Sequence, residues 1–261
     1  MNQDHVGTSF ALSDGNFVEA LAKGFAVLES FDTERQRIDP SVAAKRTGIT
    51  RAAARRHLLT LASLGYLESD GKYFWLTPKV LRLSGSYLAT ARLPRLLQPT
   101  LDRLALRIGE ALAAVVLDGD EVVIIGLSGP TRLLAYGLHL GARLPAHATS
   151  TGRVLLANLS RNGLDAWLKG KELARLTPKT VVDPKTLRDV LEKARQDDFC
   201  VADEEHEMGV TAVAVPVRDL HGRAVTALNV VLTSRSDLTP DRLRELVFHL
   251  QEGARELRGL L

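Results

Sequence analysis

Three groups of side chains in this 261-residue sequence have the types and spacing to do chemistry. The first is cationic. From Pro40 to Leu67 there is no Asp or Glu, and the same stretch carries Lys45, Arg46, Arg51, Arg55 and Arg56. Cations without neighbouring anions suit a row of phosphates, whose neutralisation releases condensed counterions. The planar Arg fork can also grip O6 and N7 of guanine. The second group is the hydroxyl-rich turn Thr149-Ser150-Thr151-Gly152 at the head of an apolar helical stretch. Helix N-termini carry free N–H groups and a partial positive charge, which suits a carboxylate. Arg132, His139, Arg143 and His147 lie in the segments leading to it, and a carboxylate would take one Arg as a bidentate partner. A plainer alternative stays open: the hydroxyls cap the helix and the arginines are solvated. The third group is the run Asp203-Glu204-Glu205-His206-Glu207, with Cys200 close by. Carboxylates around a His could hold a divalent metal, and a Cys near a His could be a nucleophile and its base. Consecutive residues seldom converge on one ion, and no second His stands at helical spacing. The expectation is a solvated or capping loop, with Cys200 in the core and no metal.

The elements that must position the cations read clearly. Pro40 to Arg46 is a short helical pattern with Pro40 at a first helical position, ended by Gly48. Thr50 can cap a second helix, Arg51 to Leu64, whose apolar face is Ala54, Leu58, Leu61 and Ala62. Gly65 stops it. Tyr66-Leu67 and Tyr73 to Leu76 read as two strands turned at Asp70-Gly71. Helix, tight turn, helix and hairpin form a winged helix-turn-helix, which presents the start of its second helix to the DNA major groove. A basic run alone would suggest only a solvated face; its coincidence with this spacing argues for double-stranded DNA. Thr50, Arg51, Ala52, Arg55 and Arg56 on the recognition helix, Lys45 and Arg46 before it, and Lys72 in the wing are the expected contacts. Asn16 to Phe31 forms the supporting first helix, with Phe17, Leu21, Phe25 and Leu28 expected in the core and Asn16 with Glu19 as its capping box.

Residues 1–15 are polar and read as a mobile arm. The winged domain then covers 16–77, a linker helix 78–97, and a second domain 98–261. The linker, KVLRLSGSYLATA, is apolar on more than one side and must bury that surface; a dimer contact is expected, because paired half-sites match paired proteins. Pro94 and Pro99 punctuate the entry to the second domain. There a helix from Gln98 is followed by β-rich runs at 111–117 and 121–127, a continuing strand at 132–137, and a loop at 141–147. Helices follow at 149–159, 164–170 and 184–198, then strands at 212–217 and 224–232, and a terminal helix from Pro240. Irregular alternation makes the fold α+β, an antiparallel sheet with helices packed on it, the kind of domain that holds a small ligand between sheet and loops.

Composition bounds the rest. With 45% hydrophobic residues the chain can bury real cores, and the net charge of +3 suits a DNA binder without proving one. A single cysteine, Cys200, fits a reducing cytoplasm. The first residues lack a basic and apolar leader, and no stretch of about 18 apolar residues suggests a membrane span. No Gly-x-Gly phosphate cradle is present, and no cofactor is called for.

Several motifs in order resemble the IclR family of bacterial transcriptional regulators: ITRAAARRHLLTLASLGYL (49–67) with LTPKVLRL (76–83), PTLDRLALRIGEALAAVVLDGDEVVII (99–125), LPAHATSTGRVLLA (144–157), FCVADEEHEMGVTAVAVPV (199–217) and ALNVV (227–231). FVEALAKGFAVLESF and LPAHATSTGRVLLA look most like the branch controlling aromatic-acid breakdown through protocatechuate and β-ketoadipate. The resemblance implies a winged helix-turn-helix, a linker helix, a GAF-like effector domain, and dimers often paired into tetramers. It implies an effector pocket lined by Ser150, Thr151 and Gly152, by Ala212 and Val213, and by Asn229 and Val231. One departure is Ala53, where the family often has Thr, which leaves the base contacts to Arg51 and Arg55. The expectation is therefore a regulator that senses a small carboxylate, an aromatic acid or a β-ketoadipate-like metabolite. One rival is an enzyme that processes a small acid and uses the N-terminal domain for assembly only. The other is an architectural DNA binder without a ligand.

Overall fold

The computed structural model describes residues 16–32, 35–130, 138–233 and 238–261, in two compact units divided between Thr90 and Ala91. The arm expected at 1–15 and the strand expected at 132–137, Arg132 included, lie outside the described residues.

The first unit holds α1 (Glu19–Leu28), α2 (Pro40–Thr47), α3 (Arg51–Ser63), the hairpin β1 (Leu67–Ser69) and β2 (Phe74–Leu76), and α4 (Leu81–Thr90). Asp39 starts α2 by accepting the N–H groups of Ser41 and Val42 at 2.7 and 3.0 Å, with Pro40 in the first turn. Gly48 ends it at φ 69°, the left-handed turn that lets α3 leave at once. Thr50 then caps α3 by accepting from Ala53 N at 3.2 Å. Ala54 and Leu58 are fully buried, beside Val27, Ile38, Ala43, Leu67 and Phe74. In the hairpin Glu68 faces Trp75, and Ile38 bonds Phe74 in both directions through a single-residue bridge.

The first helix departs from expectation. It starts at Glu19, its cap is Val18 and no side chain caps it, so the Asn16–Glu19 capping box does not form. Val27 is the residue it buries, while Phe17, Val18, Leu21 and Phe25 are 58, 61, 60 and 48% exposed. The stripe is real, but among the described residues it is left exposed. On α4, Leu81, Leu83 and Tyr87 are likewise exposed.

The second unit is a six-stranded antiparallel sheet in the order β5-β4-β3-β8-β7-β6. Its strands are β3 (Ala111–Asp118), β4 (Glu121–Ser128), β5 (Arg143–Pro145), β6 (Cys200–Asp203), β7 (Thr211–Arg218) and β8 (Ala224–Leu232). The short edge strand β5 lies inside the segment expected as a loop, and β6 is a strand beyond those expected. Helices α5 (Arg92–Ile108) and α9 (Pro240–Arg258) cover one face; α6 (Ser150–Ala157) and α8 (Pro184–Asp197) cover the other, with α7 (Arg161–Leu168) between them in sequence. Alternation along β3 sorts the layers: Leu112 and Ala114 join the α5–α9 core, Ala111, Ala113 and Val115 the α6–α8 core. Residues 92–97, expected in a linker, belong to α5, which runs through Pro94 and Pro99 as one helix. Pro94 sits in the first turn, where helical N–H groups are orphaned anyway, and Pro99 sacrifices a single ladder bond.

Candidate functional site

The cationic residues converge on one region of the first unit. Lys45, Arg46, Thr50, Arg51, Ala52, Arg55, Arg56 and Lys72 are all exposed. Asp39 links them: the N–H of Val42 chiefly holds its carboxyl below the ordinary range, and Arg51 and Lys72 add their fields. The head of α3 and the wing tip therefore act on the same carboxylate. Asp70 fixes the tip by accepting from Lys72 N and Tyr73 N at 3.0 and 2.8 Å, with Gly71 at φ 94°. Arg37 stacks 4.1 Å from the Trp75 ring, and Trp75 Nε1 donates to Glu68 at 3.0 Å, which stiffens the wing. Arg46 differs from the others, because it bridges Asp32 at 2.6 Å. Cations at the start of an exposed helix, beside a basic wing, can follow phosphates and reach base edges.

In the second unit a cavity of about 60 Å³ lies between the sheet and the head of α6. One water takes roughly 10–15 Å³ on this scale, so there is room for several waters, and a benzene-sized ring, which takes about 150 Å³, needs the cavity to widen. Thr149, Ser150 and Thr151 form one end. Thr149 Oγ1 accepts from Gly152 N at 3.2 Å, and Arg153 N bonds Thr149 O at 3.0 Å. The N–H groups of Ser150 and Thr151 precede the helical ladder and are left for another acceptor. The floor is made of small side chains on the strands, Ala113, Ala202 and Ala212, with Val115, Val231 and Asn229. His206 and Val210 close it from the β6–β7 connection, and Leu138 and Leu144 from the opposite edge. Ser150 Oγ and Asn229 Oδ1 are buried in this wall without a hydrogen-bond partner among the described residues. Such atoms normally find one, so two orphans in one apolar cavity mark a ligand site.

Ser150, Thr151, Ala212, Asn229 and Val231 line the cavity. The structure places five other expected residues outside the lining. Val213 points the other way: it alternates with Ala212 along β7 and is buried in the α5–α9 core. Gly152 contacts backbone instead of cavity; a Cβ there would lie 2.2 Å from Ala146 O, so glycine lets α6 press on that segment. Arg143 is exposed on β5 and held by Glu121 and Asp118 at 2.7 and 2.8 Å. His147 is buried beside the site, with Nε2 at 2.9 Å from Ala174 O, and burial holds its pKa down. His139 is exposed. The described lining contains no Arg or Lys, so α6 and its hydroxyls are what a carboxylate would meet.

The acidic run is a clamp, not a solvated loop. Arg153 is 1% exposed; its guanidinium makes a fork pair with Glu205, and its Nε donates to His147 O at 2.7 Å. Glu205 also accepts Val181 N, and its carbonyl accepts Thr180 Oγ1 at 2.7 Å. Glu204 pairs with Lys179 and accepts Gly209 N, while Asp203 lies 3.0 Å from Lys179 and accepts Thr211 Oγ1 at 2.7 Å. His206 is thereby carried over the cavity, its pKa lowered by burial. Burial pushes the Cys200 thiol up to about 11, which keeps it protonated and unreactive at neutral pH. A charged residue inside the apolar stretch STGRVLLA was the available sign of this clamp.

Both halves match family models. The IclR helix-turn-helix domain matches residues 20–71, and the bacterial transcriptional regulator IclR C-terminal domain matches residues 85–258. The chain belongs to the IclR family. The IclR-family chain is accordingly a DNA-binding transcriptional regulator, and the enzyme rival falls: its relatives are named as regulators. It is 46% identical to the Pca operon regulatory protein of Acinetobacter baylyi, over 94% of this chain and 90% of the relative. It is 44% identical to the p-hydroxybenzoate hydroxylase transcriptional activator of the same organism, over 98% and 97%. A solved structure of a double mutant of the PobR inducer-binding domain from Acinetobacter, complexed with 3-hydroxybenzoic acid, matches with TM-score 0.61 and 41% identity. That match covers 66% of this chain and 100% of the other. Among the described residues no helix is long and apolar enough to cross a membrane.

Proposed function

We propose that this regulator is controlled by an aromatic acid of the hydroxybenzoate class, bound in the cavity at the head of α6. The observation that carries the reading is the pair of orphaned polar atoms in an otherwise apolar, alanine-floored space. A planar ring lies against small strand residues as the cavity widens to admit it, and a carboxylate takes the free N–H groups and hydroxyls of Ser150 and Thr151. The relatives named for hydroxybenzoate chemistry support the same class. β-Ketoadipate-like diacids are the second class, and they would leave the flat floor unused. Arg51, Arg55 and Thr50, with Ala52 against thymine methyl groups, read the operator; Lys45, Arg56 and Lys72 hold phosphate.

The exposed stripe Phe17, Val18, Leu21 and Phe25, with Leu81, Leu83 and Tyr87, is too apolar to stay in water. A second copy of the chain covers it, giving a homodimer that pairs two half-sites, and two dimers give the tetramer. The regulator acts in the cytoplasm on double-stranded DNA, and ligand shifts the population of DNA-competent states.

Thermal unfolding against protocatechuate, 3- and 4-hydroxybenzoate, β-ketoadipate and short aliphatic acids tests the effector. Ligand at about 100 Kd stabilises by about 2.7 kcal/mol, an evident rise in Tm. A shift with aromatic acids is expected. A shift with aliphatic diacids alone overturns the aromatic reading.

A further inference from the structure

Resting on the aromatic-acid reading, we infer that Asn229 makes a hydrogen-donating ring substituent a requirement for the effector, by accepting from a ligand hydroxyl through Oδ1. Strand alternation along β8 puts Ala227, Asn229 and Val231 on the α6 side, while Leu228, Val230 and Leu232 enter the opposite core. Asn229 is the polar member of that set. Its partners across the ladder are Ala113 on β3 and Ala214 on β7. Neither neighbour can offer a side-chain donor. Asn229 is 8% exposed, and among the described residues its Oδ1 has no hydrogen-bond partner.

A buried carbonyl without a donor is expensive to keep, and a methyl-bearing residue would fill the same floor without that penalty. With the amide in this orientation the carboxylate of the ligand cannot relieve it, because an anion repels an acceptor. The donor must therefore come from elsewhere on the ligand. A carboxylate at Ser150 and Thr151 leaves the ring over the alanine floor, where a ring hydroxyl supplies an O–H. A methyl ether or a halogen at the same ring position fills similar space and donates nothing. Sites built to hydrogen-bond a ligand hydroxyl reject the analogue lacking it far more strongly than apolar pockets sort ligands by size.

The test measures Kd by calorimetry on the full-length protein for 3- and 4-hydroxybenzoate, the matching fluorobenzoates and benzoate. The wild type is expected to prefer one hydroxybenzoate over its fluoro analogue by on the order of 10–100-fold. Asn229→Leu should bring that ratio within about threefold, chiefly by improving the fluoro ligand. Asn229→Ala is the second variant, should leucine overfill the floor, and its ratio should collapse as well. A ratio above 10-fold that survives in a folded Asn229 variant overturns the assignment to Asn229 and leaves the aromatic pocket standing. A wild type that binds the hydroxy and fluoro acids equally overturns the donor requirement. Failure of every aromatic acid to bind takes down the effector reading itself, and this inference with it.

Discussion

The arginines of the two units live in opposite surroundings. Arg51 and Arg55 stand exposed at the head of α3 and form no ion pair among the described residues. Arg153 is 1% exposed, and its whole fork is taken by Glu205 and the His147 carbonyl. A solvated guanidinium costs little to keep and stays available for phosphate or guanine. A buried one costs several kcal/mol to desolvate and persists only when fully paired. Apolar groups show the same division. The first unit carries Phe17, Leu21 and Phe25 outside, where another chain can meet them, and the second lines an internal cavity with alanine and valine. One unit presents its binding groups outward, to macromolecules; the other turns them inward, to something small.

The largest effect expected from this contrast is at Arg153. Arg153→Ala leaves the Glu205 carboxylate buried without its partner, which costs about 3–5 kcal/mol and lowers Tm on the order of 10 °C. The apolar pair Arg153→Met with Glu205→Leu should recover most of that loss in the same melting experiment. A melting point unmoved by Arg153→Ala would mean that the clamp is not a buried pair in solution. Next comes the exposed pair. Replacing Arg51 and Arg55 together by Ala should weaken operator binding roughly hundredfold in fluorescence anisotropy, shallow the salt dependence, and leave Tm and ligand-induced stabilisation intact. Unchanged operator affinity would remove α3 as the reading element.

Much of the first unit was legible because its determinants are local. The cap at Thr50, the break at Gly48, the Ala54–Leu58 face and the Asp70-Gly71 turn each act within a few residues. The stripe on α1 was legible as a stripe and misassigned as core, because periodicity shows that a face is apolar without showing what covers it. In the second unit Ser150 and Thr151 announced themselves as a helix head. Val213 did not, because choosing between Ala212 and Val213 needs the phase of β7, and a one-residue slip exchanges the faces. The short strands β5 and β6 have too few residues to display alternation. The Arg153–Glu205 pair spans 52 residues, and no local pattern connects them.

A smaller effect separates the units by pH. Burial lowers the pKa of His147 and His206, so the unfolded chain binds protons that the folded second unit refuses. Their contribution is complete above the ordinary His value of about 6.5 and is lost as pH falls below it. Carboxylates held low, such as Asp39 and Glu204, act in the same direction but only nearer their own ordinary range. Stability should therefore decline between about pH 6.5 and 5 before any carboxylate titrates, and His147→Asn with His206→Gln should flatten that part of the curve in denaturant titrations. An unchanged slope in the double variant would place the protons elsewhere.

The smallest effect is the sharpest probe of the contrast, because it lies within the first unit. Arg46 is exposed like Arg51, yet it holds Asp32 at 2.6 Å. To touch phosphate it must give up that partner, so its net gain on DNA is the difference between two exposed ion pairs, each of about 0–1 kcal/mol. Arg46→Ala should therefore weaken operator binding by less than about threefold, against roughly tenfold for Arg51→Ala or Arg55→Ala alone. Asp32→Asn should strengthen binding slightly by releasing Arg46. Anisotropy titrations of these four variants at one salt concentration decide the matter. If Arg46→Ala costs as much as Arg51→Ala, availability does not separate the contact residues of the first unit, and the basic surface works as an undivided field.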